Sequence, residues 1–270
     1  MEAFDLAVGL RPVGAGELAA RETGAVMLPA LGYDYVPGFL AGSLALDQAG
    51  EAARALDIGY FADGPLRRGI SQGTRATMRD GLTLPSPRRH RRRLVEGRTA
   101  SRVRDFSVHG RRRKAFLGSG TEVLFLPGTF PALEDITVYN GWFPEFSRPL
   151  SLLSAVANTA TRLPGGRALT GLLTRPLLLG PPGGPDAALR AQIPSYVVAV
   201  ASSGVPGSAP LAEVHLEGPN PYSLTGKLMA WAAEHLSTRP ALAPGVIGPT
   251  EAFGPDTLRR ACAEVGLRTV

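Results

Sequence analysis

The sequence predicts an α/β fold, and three observations carry that expectation. Residues 25–46 read as strand, loop and helix in succession, the unit that places a loop at the carboxyl end of a strand. Residues 195–236 read as two alternating strands followed by a long helix. Hydrophobic residues make up 44% of the 270 and charged residues 19%, a composition that packs a core. A chain of this length forms one large domain or two smaller ones.

Taken in order, Leu18 to Glu22 favours helix, and Gly24 stands where a glycine stops one. The apolar run Ala25 to Pro29 is expected as a buried strand. Gly32-Tyr33-Asp34-Tyr35-Val36-Pro37-Gly38 forms a turn into a helix, because Pro37 suits a first helical turn and Phe39 to Leu46 is densely apolar. Leu56 to Ala62 reads as a strand, Gly64 to Gly73 as a loop, and a helix starts near Thr74 and runs through Met78. Ser71, Gly73 and Thr74 sit at that helix entrance, where free backbone N–H groups favour polar or anionic ligand groups.

From Arg91 to Phe125 the pattern is strands and turns. Arg102 to Val108 and Arg113 to Leu117 flank His109-Gly110 as a hairpin, and Thr121 to Leu126 is expected as a further strand. Ile136 to Trp142 reads as a strand, Leu150 to Leu163 as a helix, and Gly180 to Pro185 as a Pro/Gly-rich loop. Ser195 to Ser203 and Leu211 to Gly218 alternate around a Gly/Pro/Ser turn and are expected to pair antiparallel. Tyr222 to Leu236 is the clearest helix, and Pro255 to Glu264 forms a last one ending at Gly266.

Composition excludes several classes. A single cysteine, Cys262, forms no intrachain disulfide and assembles no cysteine-based metal site, and a reducing, cytoplasmic setting is expected. The longest greasy stretch, Leu169 to Leu179, is interrupted by Arg175 and Pro176 and is too short to cross a bilayer. His90, His109, His215 and His235 stand at no metal spacing, so no metal is expected. No G-x-S-x-G elbow occurs, and Cys262 falls in the middle of an expected helix, which leaves covalent catalysis unsupported.

The net charge of +6 permits attraction to polyanions, and Arg88-Arg89-His90-Arg91-Arg92-Arg93 and Arg111-Arg112-Arg113-Lys114 resemble nucleic-acid patches. No aromatic residues interleave with these arginines to stack bases, so a solvated hairpin surface is the expected reading. Gly14-Ala15-Gly16-Glu17-Leu18-Ala19 matches G-x-G-x-x-A, and Asp34 follows about 20 residues on. Its context is poor: Pro12 interrupts the strand that should precede it, and only about two helical turns fit before Gly24.

Three segments together resemble the saccharopine dehydrogenase-like NAD(P)-dependent oxidoreductases. Ala25 to Pro29 with the turn Gly32 to Gly38 is similar to that family's late Rossmann strand and its G-[FY]-D-x-x-P-[GS] turn. Gly69-Ile70-Ser71-Gln72-Gly73-Thr74 resembles the S-x-G-T helix start of the substrate domain, and Gly248 to Phe253 resembles the closing segment. The resemblance implies residues 1–47 as the C-terminal edge of a dinucleotide-binding sheet and 48–270 as an α+β substrate domain, with the last helices packing back on the first part. It implies hydride transfer with NAD(P)H to a C=N or C=C bond. Gly32, Pro37 and Gly38 would face the nicotinamide, and Ser71, Gly73 and Thr74 would line the substrate side.

The family's phosphate loop is missing from this stretch, so the chain alone is expected not to hold NAD(P) tightly, and an upstream start is one explanation. Asp34 would orient substrate or the nicotinamide amide, or else stabilise the turn; Tyr33 or Tyr35 would donate a proton, or else pack. The expected partner is a small-molecule substrate, with a homodimer or a separate Rossmann chain covering the exposed sheet edge. Alternatives are a noncatalytic ligand-binding or partner subunit and a basic nucleic-acid-binding protein.

Overall fold

The structure is a computed structural model that describes residues 16–29, 31–82, 84–143, 147–160 and 182–270. Gly14, Ala15 and the stretch Leu169 to Leu179 lie outside the described residues. The fold is mixed α/β, as expected. Its centre is a sheet in the order β11(Arg268–Thr269)-β9(Ala212–Gly218)-β8(Ser195–Ser202)-β2(Ala55–Ala62)-β7(Asp135–Asn140)-β3(Pro85–His90)-β4(Arg93–Arg98). Strands β2 and β7 are parallel, with Tyr60 opposite Asn140; β8 runs antiparallel to β2, and β9 to β8. The expected pairing of the last two long strands therefore holds.

The far edge of β7 is shared. At its start Ile136 pairs with Arg89 of β3, and at its end Tyr139 and Asn140 pair with Leu117 and Phe116 of β6(Arg111–Leu117). Between these attachments β3 and β6 diverge, and the sheet forks. Strand β6 forms the expected hairpin with β5(Val103–Val108) around His109-Gly110, both at positive φ (51° and 70°) as a two-residue turn of the right twist requires.

Alternation along the strands sends side chains to two cores. Leu56, Ile58, Tyr60 and Ala62 of β2, with Val197 and Ala199 of β8, face the larger core. Helix α2(Val36–Ala49) lies across β2, β8 and β9 on that side, joined by α5(Glu122–Thr129) and α8(Pro221–Thr238), which contributes Leu224 and Leu228. Phe61, Val198 and Val200 face the other way. There they are covered by Phe106, Val108 and Ala115 from the β5–β6 hairpin. Two ion pairs tie that hairpin to β2: Arg104 with Asp57, and Arg113 with Asp63 at 2.8 Å.

Two expected strands differ. Of Ala25 to Pro29 only Val26–Met27 is extended (β1); Met27 is 51% exposed, and the pair joins β10(Gly245–Val246) in a separate parallel ribbon. Val26 and Leu28 are only partly buried, packing on the edge of the larger core, and Pro29 ends the run. The segment Thr121 to Leu126 is helical, as α5, because Val123 and Leu126 stand one turn apart and both bury, whereas a strand would have alternated them. The helix expected from Thr74 starts two residues sooner, as α4(Gln72–Gly81), with Ser71 as its N-cap. The short helix at residues 16–23 does end at Gly24, at φ 72°.

The two arginine runs lie at opposite ends of the sheet. Arg91 and Arg92 form the β3–β4 turn beside the start of β7, where the backbone N–H of Arg92 donates to the Glu134 carbonyl at 2.9 Å. The β5–β6 turn lies beyond the end of β7 and packs His109 on Tyr196, ring centres 4.5 Å apart. The runs thus form no single continuous surface. Among the described residues no helix is long and apolar enough to cross a membrane.

Candidate ligand-binding site

A cavity of about 130 Å3 opens in the fork of the sheet. Its floor is the carboxyl end of the parallel pair: Tyr60 from β2 and Val138, Tyr139 and Asn140 from β7, with Trp142 just beyond. This is where parallel strands end and the chain turns away, the position at which open α/β sheets bind ligands. Diverging β3 and β6 supply Ser86 and Phe116, helix α4 supplies Thr74, Thr77 and Met78 along one wall, and Asp34 comes from the turn before α2.

The lining is mostly apolar with a fixed set of hydroxyls. Ser119 donates to Ser86 at 3.4 Å, Ser86 bonds Thr99 at 2.6 Å, and Thr99 donates to the Leu84 carbonyl at 2.8 Å, a chain anchored at its far end to backbone. Asn140 is held by accepting the Trp142 backbone N–H at 3.1 Å. Trp142 is only 6% exposed, and its indole N–H has no partner among the described residues. A buried donor left unpaired is costly, so a group that enters the cavity with an acceptor gains from it.

Behind the cavity lies a buried acid. Tyr60 donates to the Glu122 carboxyl, and its hydroxyl also lies 3.3 Å from the Tyr35 carbonyl. Two glycines make room for this pair: a Cβ at Gly38 would overlap the Tyr60 hydroxyl and the Glu122 carboxyl, and one at Gly120 would overlap Glu122 and Val138. Burial pushes Glu122 up to about 8, so at neutral pH it keeps its proton. Asp34, half-buried at the cavity wall, is pushed up to about 6 by the same cause and is mostly ionised at pH 7.

Of the residues singled out from sequence, Asp34 and Thr74 line the cavity. Tyr33 is a brace: its hydroxyl reaches the carbonyls of Phe61 (2.9 Å) and Tyr196 (3.1 Å), and its N–H donates to Thr225. Tyr35 is buried against α2, with its hydroxyl made harder to ionise by burial. Ser71 caps α4 by accepting the Thr74 N–H at 3.1 Å, and Tyr222 ties both to α8, accepting the Ser71 N–H at 2.9 Å and bonding Thr74 at 2.8 Å. Gly73 is exposed and does not line the cavity.

Gly32, Pro37 and Gly38 are not part of the lining either; Gly32 lies against Thr225, and Pro37 and Gly38 are buried. Neither a protein-family model nor a curated protein sequence matches the chain. Among solved structures it is similar to the apo histidine-tagged saccharopine dehydrogenase (L-Glu forming) from Saccharomyces cerevisiae, at 11% identity and a TM-score of 0.45, over 87% of this chain and 72% of that one.

Tyr60, Glu122, Asn140 and Trp142 were not singled out from sequence. Glu122 carried a signal, a lone acid directly ahead of the apolar run Val123 to Leu126, which marks either an exposed position or a purposeful buried one. Trp142 carried another, a tryptophan followed by Phe143 and Pro144 at the end of a strand. Among the described residues no group of three or more His, Cys, Asp or Glu could hold a metal. Cys262 is buried and its thiol is pushed up to about 12, which leaves it inert as a nucleophile.

Proposed function

We propose that this chain binds a small organic ligand in the forked-sheet cavity. The observation that carries the reading is the placement of Asp34, Thr74, Asn140 and Trp142 around one mostly apolar space at the carboxyl ends of β2 and β7. A few polar groups on apolar walls orient a ligand without requiring it to be charged all over. Two of the four, Asp34 and Thr74, come from the segments that resemble saccharopine dehydrogenase-like oxidoreductases, which supports a substrate site of that general kind.

In that family the nicotinamide supplies the hydride for reduction of a C=N or C=C bond. The residues assigned to it fit poorly here. A ring against Gly38 would need the space that the Tyr60 hydroxyl and Glu122 carboxyl fill, and Pro37 is fully packed. Ligand binding, as in a noncatalytic or partner subunit, is therefore the activity this geometry supports.

Two titrations test the reading. The chain has two tryptophans, so in Trp231→Phe the emission reports on Trp142 in the cavity wall. Cyclohexanol is expected to shift that emission saturably, and Thr77→Phe, which fills the α4 wall, is expected to abolish the shift. No saturable response would overturn the proposal. Calorimetry with NADPH and NADH is expected to show no binding at micromolar concentration; tight binding would restore the hydride-transfer activity to this chain.

A further inference from the structure

The cavity's charge is more informative than its shape. The sequence carries 29 Lys and Arg against 23 Asp and Glu, yet among the described residues that line the cavity there is one Asp, Asp34, and no Glu, His, Lys or Arg. Two arginines close in sequence to lining residues make bonds elsewhere: Arg75 donates to the Ile70 carbonyl at 2.8 Å and Arg98 to the Ser151 carbonyl at 2.7 Å. Among the described residues nothing forms a hydrogen bond or ion pair with the Asp34 side chain. The rings of Tyr60, Phe116, Tyr139 and Trp142 line the same cavity.

A carboxylate facing an apolar space without a cation of its own is a costly arrangement that an incoming cation relieves. Aromatic faces add to the same preference, because their π-electron faces attract cations and repel anions. A carboxylate ligand would meet like charge, with no arginine or lysine among the described lining residues to receive it. We infer that the cavity selects a small monocationic amine with an apolar body, its ammonium on Asp34 and its hydrocarbon among the rings, and rejects carboxylates. This inference rests on the reading that the cavity is a ligand site.

The titratable groups facing Asp34 are Tyr33 and Tyr35 on its own turn, Tyr60 from β2 and Glu122 from α5. The three tyrosines are all shifted upward and stay neutral near pH 7, and Glu122 holds its proton there. Asp34 is thus the group that changes charge between pH 5 and 7.

The test compares three molecules of one shape, cyclohexylamine, cyclohexanol and cyclohexanecarboxylate, by the Trp142 emission of the Trp231→Phe chain. At pH 7 the amine is expected to bind at least tenfold more tightly than the alcohol, and the carboxylate not at all. At pH 5 the amine's advantage is expected to shrink severalfold in the same protein, which needs no variant to fold. Asp34→Asn is expected to remove the amine's advantage over the alcohol at both pH values. Equal binding of amine and alcohol, or tighter binding of the carboxylate, would overturn the amine inference and leave the ligand site standing. Failure of all three to bind would overturn both.

Discussion

On one face of the central sheet the Asp57 carboxyl meets the Arg104 guanidinium; on the other, the Glu122 carboxyl meets the Tyr60 hydroxyl, and its second oxygen has no partner among the described residues. Both acids lose water on folding. Burial raises both carboxyls, but at Asp57 the Arg104 charge pulls part of the rise back, whereas Glu122 has no cation among the described residues and holds a proton to about pH 8. The hairpin face pairs its buried acid with a cation, while the helix face stores an uncharged acid directly behind the cavity. A cation decides which chemistry a buried carboxyl can offer.

The largest expected effect breaks the helix face. Gly38→Ala forces a Cβ into the Tyr60–Glu122 pair and is expected to cost about 3 kcal/mol of stability in urea unfolding, the upper part of the range for overpacking. Next comes the hairpin face: Arg104→Ala leaves Asp57 without its cation and is expected to cost about 2 kcal/mol. Adding Asp57→Asn to that variant is expected to recover part of the loss, since the orphaned charge is then gone.

Glu122→Gln sharpens the comparison through pH. Because the folded-state pKa of Glu122 is raised, its favourable contribution is complete below the unfolded value of about 4.5 and is lost as pH rises through about 8. Wild-type stability should therefore fall between pH 5 and 8. The glutamine variant, which can still accept from Tyr60, should lose that fall above pH 6 and keep only the part due to Asp34 below it. Thermal melts across this range check it, and an unchanged slope would mean that Glu122 is ionised. The smallest effect concerns the β3–β4 turn, where Arg91 and Arg92 sit at φ 49° and 64°. Replacing them by Asn and Gly is expected to stabilise by about 1 kcal/mol.

That turn also shows what could be read in advance. His109-Gly110 announced its hairpin through the glycine, while Arg91-Arg92 adopts the same conformation without one, so only tertiary pairing reveals it. The strands β2, β8 and β9 and helices α2 and α8 were legible because their apolar periods are long and unbroken. Helix α5 was not, since one acid followed by four apolar residues, Val123 to Leu126, suits either period, and packing on α2 and β7 decides. In the site, Asp34 and Thr74 were legible from local motifs. Glu122 and Tyr60 lie 62 positions apart and meet only through the fold, so no local pattern could pair them.

The most direct test of the central claim is a crystal structure of the protein soaked with cyclohexylamine. Density for the ring between Phe116, Tyr139 and Trp142, with its nitrogen within hydrogen-bonding reach of Asp34, is the result expected of a ligand site in the fork of the sheet. An empty or water-filled cavity at a concentration that saturates the Trp142 signal would contradict it.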